Sequence, residues 1–164
     1  MSLSIRVLTA EDAALFRDIR LEGLLLQPEA FGSTYEVESV RPLGFFAERL
    51  AGSTVFGGFE GAALLGVAGF KQHEGLKERH KAMLLGMYVR PAARGRGLGR
   101  LLVDSVLAHA RERVEIVLLA CIEENQAARR LYESAGFVAY GLERHALKQG
   151  GRYYDEVLMA AAVA

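Results

Sequence analysis

Apolar positions change their period several times along the chain, and each change marks an element. Leu3, Ile5 and Val7 alternate with polar neighbours, which predicts a short strand. Thr9 with Asp12 three residues on is a capping-box variant. Phe16, Ile19, Gly23 and Leu24 then recur at helical spacing, so a helix is expected over residues 10–26, with Pro28 as its stop. Residues 29–40 show no period and read as a loop; residues 43–51 read as a second short helix. Two apolar runs, 54–59 and 63–70, flank Glu60 and Gly61 as a hairpin. Residues 71–81 are polar and read as a loop. Residues 82–89 and 115–122 are continuous apolar runs, the pattern of strands buried on both faces. Between them, residues 97–113 carry Leu98, Leu101, Leu102, Ser105, Val106 and His109 on one helical stripe. Residues 125–135 form another helix, ended by Gly136. Residues 137–147 and 152–159 close the chain as two strands.

The order is therefore β-α-α-β-β-β-α-β-α-β-β. It predicts an α/β (α+β) fold, a mixed sheet of about seven strands with helices on both faces. The strands at 82–89 and 115–122 flank a crossover helix and should be parallel neighbours.

Composition sets the limits. The chain has 164 residues, 51% hydrophobic and 24% charged, which suits one globular domain over residues 1–164. Twenty basic and twenty acidic residues cancel, so no basic excess points to nucleic acid or an anionic membrane. The charge is segregated, however. Residues 1–62 hold five basic and nine acidic side chains, residues 63–113 ten and four, and residues 114–164 five and seven. One cysteine excludes a disulfide framework or a Cys-rich zinc site, and the four histidines show no ligand spacing, so no metal is expected. No apolar run is long enough to span a membrane, and the N-terminus is charged too early for a signal peptide. The expected location is the cytoplasm.

The most informative stretch follows the strand at 82–89. Arg94, Gly95, Arg96, Gly97, Leu98, Gly99 and Arg100 turn the chain into a helix. Glycines permit a tight turn and close approach to the backbone. The first N–H groups of the helix have no internal partners and sit at its positive end, so the corner suits a phosphate, and the arginines add charge. The Walker pattern requires Lys-Ser/Thr after its last glycine, where Arg100 and Leu101 stand. The dinucleotide fingerprint GxGxxG is replaced by GxGxG, after the fourth strand instead of the first.

The run Arg94-x-x-Gly97-x-Gly99, after a strand ending Tyr88, Val89, Arg90, Pro91, resembles the acetyl-coenzyme A signature (Q/R-x-x-G-x-G/A) of the GNAT superfamily of N-acetyltransferases. A second stretch resembles that family's other motif, N-x-x-A-x-x-L-Y-x-x-x-G-F, with Asn125, Ala128, Leu131, Tyr132, Gly136 and Phe137 at its fixed positions. The two lie in the expected order with a strand between them. The strand and helix order fits over essentially the whole chain. Arg20 to Glu22, Pro28 to Gly32 and the closing Gly151 to Glu156 also resemble many bacterial members.

The resemblance implies transfer of acetyl from acetyl-CoA to a primary amine, by direct attack within a ternary complex. It also implies a mostly antiparallel sheet with a splayed parallel pair in its middle. Met87, Tyr88 and Val89 would meet the pantetheine arm, where a backbone N–H could stabilise the oxyanion. Arg94, Gly95, Arg96, Gly97, Leu98, Gly99 and Arg100 would hold the pyrophosphate, with Asn125 and Arg129 assisting. Tyr132 would be the acid that protonates the departing thiolate. It lies about 20° around a helix from Asn125, so one face presents both.

The base is less legible. Some members place a glutamate inside the fourth strand, but the matching position here is Met83. Glu123 is the base candidate, with Glu124, Glu22 and Glu36 as others and water as an alternative. Cys121 lies in an apolar run and reads as a buried, inert thiol. Glu22, Phe31, Tyr35 and Tyr153 are the expected acceptor wall. A small acceptor (an amino acid, a polyamine or a drug-like amine) is favoured because no separate domain grips a protein. A protein amine, a catalytically idle acyl-CoA-binding module and a nucleotide-dependent enzyme are the alternatives. Homodimers are common in the family, and no sequence feature here demands one.

Overall fold

A computed structural model describes residues 2–164. Strand β1 (Leu3–Val7) leads through a 3-10 turn at Ala10–Asp12 into helix α1 (Ala13–Leu26). The Asp12 carboxylate fixes this entry, accepting from Arg6 at 2.9 Å and from the Thr9 N–H at 2.7 Å. The Arg6 contact, aided by the Thr9 amide, holds the Asp12 carboxyl down to about 2. Pro28 ends α1. The stretch expected as a loop contains a 3-10 turn at Pro28–Ala30 and one helical turn, α2 (Tyr35–Glu38), capped by Thr34, whose hydroxyl accepts from the Val37 N–H at 3.2 Å. A single turn has too few positions for an apolar stripe to show, so periodicity does not reveal it.

Helix α3 (Leu43–Gly52) precedes strands β2 (Thr54–Glu60), β3 (Ala63–Gln72) and β4 (Lys81–Val89). Helix α4 (Leu98–Arg111), strand β5 (Ile116–Ile122), helix α5 (Gln126–Ser134) and strands β6 (Val138–Gln149) and β7 (Arg152–Ala162) complete the chain. The seven strands lie in the order β1-β2-β3-β4-β5-β7-β6. Every pair is antiparallel except β4 beside β5, the predicted parallel neighbours.

Alternation along the strands divides the core in two. Phe56 points to the α4 face and joins Leu102, Val103 and Val106. Its neighbour Val55 points to the other face and joins Phe16, Ile19 and Phe46 of α1 and α3. Burying each such apolar side chain contributes about 1.5–3 kcal/mol.

The sheet opens in the middle. β4 and β5 pair only at Lys81 with Ile116, Ala82 with Val117, and Met83 with Leu118. Beyond Met83 the strands part. The β3–β4 register shifts between Val67 and Gly69, and Gly86 takes φ +64°, a left-handed conformation that favours glycine. A bulge increases local twist, and here it carries β4 away from β5.

Candidate active site

The parting strands leave a cavity of about 410 Å³ between β4 and β5. Its walls include Met87, Tyr88, Val89, Arg94, Gly95, Gly97, Leu98, Gly99, Asn125 and Tyr132. The Gly-rich turn and the α5 face thus meet around one space, with the β4 backbone as its floor. At Leu84, Leu85, Tyr88 and Val89 that backbone pairs with β3 on one side, and from Leu84 to Val89 it has lost β5 on the other. Unpaired strand groups in a half-apolar slot suit a narrow, peptide-like molecule that can complete the ladder.

The geometry of the turn suits an anion. Gly95 and Gly97 take φ +77° and +82°, and no atom lies within 4 Å of a Cβ placed on either. The Gly97 carbonyl accepts from Leu101 N–H at 3.1 Å and starts α4, leaving the N–H groups before Leu101 free of helical partners. Arg94 lines the cavity and is held by its Nε on the Val89 carbonyl at 3.0 Å. Arg96 and Arg100 are directed elsewhere. Arg96 pairs with Glu60 and Arg100 with Asp104, and neither lines the cavity. Arg129 also lies outside it, with a buried Nε that meets no partner.

Asn125 is the N-cap of α5, its Oδ1 accepting from the Ala128 N–H at 3.1 Å. Tyr132 is 7% exposed and packs edge-on against Phe137. Its hydroxyl has no protein hydrogen-bond partner among the described residues, although the residue lines the cavity. Burial raises its pKa, so the phenol stays protonated. Cys121 also lines the cavity, its thiol pushed up to about 11 by burial.

The carboxylate in this space is Glu156 of β7, opposite Ile122 of β5 and Glu143 of β6. Burial, with Glu143 beside it, raises its pKa above the ordinary carboxylate value. Glu156 is not among the expected site residues; its signals in the sequence are its place at the end of the Gly151 to Glu156 stretch and a charge at the head of the otherwise apolar run Val157 to Val163. Glu123 is exposed on the turn after β5, and Glu124 pairs with Arg152 at 2.6 Å; neither lines the cavity. Glu22 is engaged by Arg90 and by the Tyr88 hydroxyl, which donates to it at 2.8 Å. Burial, with Glu22 as acceptor, pushes the Tyr88 phenol up to about 12. Phe31 is buried against Tyr88, Tyr35 packs on the α1 core, and Tyr153 stacks on His145 at 4.3 Å. Among the described residues no group of three or more His, Cys, Asp or Glu side chains could hold a metal ion.

The model of the Acetyltransferase (GNAT) family matches residues 22–137. The chain belongs to the GNAT acetyltransferase family. It is 28% identical over 158 residues to the L-amino acid N-acyltransferase MnaT of Escherichia coli strain K12, covering 96% of this chain and 92% of that one. It is also 28% identical over 159 residues to an L-methionine sulfoximine/L-methionine sulfone acetyltransferase of Salmonella typhimurium, with the same coverage. Among solved structures, a GNAT-family acetyltransferase from Streptococcus pneumoniae superimposes with a TM-score of 0.87 at 20% identity, covering 99% of this chain and all of that one. A Salmonella typhimurium structure described with its cofactor acetyl-CoA gives 0.86 at 24% identity, covering 100% and 95%. The mixed seven-stranded sheet predicted from element order and the GNAT fold implied by the motif resemblance are both observed, and the protein is an acetyl-CoA-dependent N-acetyltransferase.

Among the described residues no helix of this acetyltransferase is long and apolar enough to cross a membrane.

Proposed function

We propose that this acetyltransferase moves the acetyl group of acetyl-CoA directly to the primary amine of a small molecule, in the cytoplasm. The observation that carries the reading is the wedge between β4 and β5. It has an anion-binding turn at one end and Tyr132, Cys121 and Glu156 along its walls. The free N–H groups at the start of α4, with Arg94, would hold the pyrophosphate. The unpaired edge of β4 at Met87, Tyr88 and Val89 would pair with the peptide-like arm.

An alkyl ammonium must lose a proton before it can attack, since its pKa is about 10. Glu156 takes that proton, and its raised pKa makes it a stronger base than an exposed carboxylate. As the C–N bond forms and the C–S bond breaks, Tyr132 gives its proton to the departing sulfur, and the second proton shed by the attacking nitrogen returns through solvent to the tyrosine oxygen. Cys121 takes no part. With its thiol near 11, the thiolate fraction at pH 7 is on the order of one in ten thousand, which disfavours a covalent acetyl-enzyme.

Two relatives matched over nearly their whole length are named for amino-acid-type acceptors, so such amines head the test panel. Incubation with acetyl-CoA and amino acids, polyamines or aromatic amines should release free thiol with at least one class. Tight cofactor binding without thiol release on any amine would favour an idle binding module instead.

A further inference from the structure

A second cavity, of about 520 Å³, lies between α1, α3 and the sheet and shares Leu85 and Gly86 with the wedge. Its most constrained polar group is Arg20. The Nε and Nη2 of Arg20 donate to the two carboxylate oxygens of Glu38 at 3.0 and 2.9 Å. Its guanidinium also lies 5.0 Å from the centre of the Phe31 ring. One edge and one face are thereby fixed, while Nη1 has no protein acceptor among the described residues. Nη1 is also the atom nearest the open side of Gly86: a Cβ placed there would meet it at 3.6 Å. The free end of the fork is therefore held at the place where the two cavities join.

The charge there is uneven. Glu38 is 1% exposed and, with Arg20 donating to it, its pKa lies below the ordinary value despite burial, so it is ionised at neutral pH. Arg49 approaches the same carboxylate at 3.5 Å. One negative charge thus faces two positive ones. Burial and the neighbouring Arg20 lower the pKa of Arg49, as expected where cations are in surplus. Of the other charged walls of the cavity, Lys71 and Glu48 offset one another.

We propose that Arg20 Nη1 receives a carboxylate carried by the acceptor, so that this enzyme selects amines bearing an acid group close to the reacting nitrogen. The inference rests on the acetyl-transfer reading above and adds the acceptor's chemical class. Glu38 and Phe31 act as positioning residues: they immobilise a guanidinium whose remaining donors fit a carboxylate oxygen. Gly86 leaves Nη1 uncovered, because a Cβ there would come within 3.6 Å of it. A polyamine, cationic at its far end, is disfavoured by the same surplus.

The test compares each of several L-amino acids with its own amide, by thiol release in the presence of acetyl-CoA. The amide keeps the shape and has the less basic amine, so basicity alone would favour it. The wild type should prefer the acids, and Arg20→Lys should lower the acid-to-amide ratio of kcat/KM by about 10- to 100-fold, the range for a lost charge-assisted hydrogen bond. The ratio is taken within one protein sample, so it does not depend on the folded fraction. Arg49→Met, at a side chain 35% exposed, leaves the Arg20–Glu38 pair and removes the surplus charge; it should lower the ratio by about threefold, as for a half-exposed charge. Equal use of acids and amides by the wild type, or a ratio unmoved by both substitutions, would overturn the carboxylate site and leave acetyl transfer standing. Turnover of polyamines but of neither acids nor amides would do the same. No thiol release with any amine would overturn the acetyl-transfer reading, and this inference with it.

Discussion

Gly58→Ala should loosen the proposed cofactor corner from the face of the sheet on which α4 packs. Gly58 of β2 stands directly across from Gly66 of β3. These two bare positions form a socket for Leu98, the first residue of α4. A Cβ on Gly58 would lie 2.4 Å from Leu98 Cδ1, and one on Gly66 3.2 Å from Leu98 Cδ2. Carbon atoms prefer about 3.5–4.0 Å, so the new methyl demands a shift of roughly 1 Å or more. Leu98 is 1% exposed and has little room to turn, so the strain passes to the start of α4. Overpacking of this kind costs about 1–3 kcal/mol, and replacing a strand glycine returns roughly 0.5–1 kcal/mol. The net loss is about 0.5–2 kcal/mol. At about 2–4 °C per kcal/mol for chains of this size, Tm should fall by about 1–8 °C. Acetyl-CoA should also bind more weakly by calorimetry, because the free N–H groups move with Leu98. A double-mutant cycle isolates the contact. Leu98→Ala alone costs about 2–5 kcal/mol. Combined with Gly58→Ala it should cost about 0.5–3 kcal/mol less than the sum, since the methyl fills part of the vacated socket. Additive losses, or an unchanged Tm in the single variant, would refute the socket.

Tyr132→Phe should lower kcat by about 10²- to 10⁴-fold with little change in Tm or acetyl-CoA affinity, since the hydroxyl has no protein partner. The defect should narrow above pH ~8.5, where the thiol leaves readily as thiolate; a kcat unchanged at every pH removes Tyr132 from the mechanism. Wild-type kcat/KM should fall as pH drops through the raised pKa of Glu156, because the protonated acid accepts no proton. Glu156→Gln should lose that limb along with about 100-fold of rate, and a wild-type profile in the variant would exclude it as the base. The Asp12 carboxyl is depressed from 3.8 to about 2, so its stabilisation is complete above pH ~4 and is lost as pH falls toward 2. Asp12→Asn should cost about 1 kcal/mol at pH 7, a figure kept small by the half-exposed Arg6, and its urea midpoint should converge on the wild type in acid.

The strands, the longer helices and the glycine-rich turn were legible because each rests on local signals. Apolar runs mark the buried strands, and glycines at fixed spacing mark positive φ. The Asn125–Tyr132 spacing likewise brought both residues to one wall, because helical geometry alone sets it. What the sequence did not reveal is tertiary. Glu156 reaches the wedge through the pairing of β5, β7 and β6, and Glu123, nearer in sequence to the motif, lies outside it. The Arg20–Glu38 pair joins α1 to a one-turn helix with no periodic signature. Glu22, expected on the acceptor wall, instead anchors Tyr88 and Arg90, and Glu38, which no sequence signal marks, anchors two arginines.

Those pairings reverse the electrostatic reading of the chain. Taken alone, the acidic excess of residues 1–62 would attract a cationic acceptor. In the fold Asp12 is bound to Arg6, Glu22 to Arg90, Glu38 to Arg20 and Arg49, and Glu60 to Arg96. The basic middle segment is depleted in the same way, since Arg96 and Arg100 face acids and leave Arg94 with the free helix N–H groups at the phosphate corner. Segment charge therefore does not decide the sign of the acceptor face. The deciding quantity is which guanidinium keeps an unsatisfied donor after its partners are counted. By that measure the acceptor side is cationic at Arg20 Nη1, and the carboxylate left to receive a proton is Glu156. An amino acid presents these two charges in reverse, an acid for the arginine and an ammonium for the glutamate, so a single acceptor class can satisfy both.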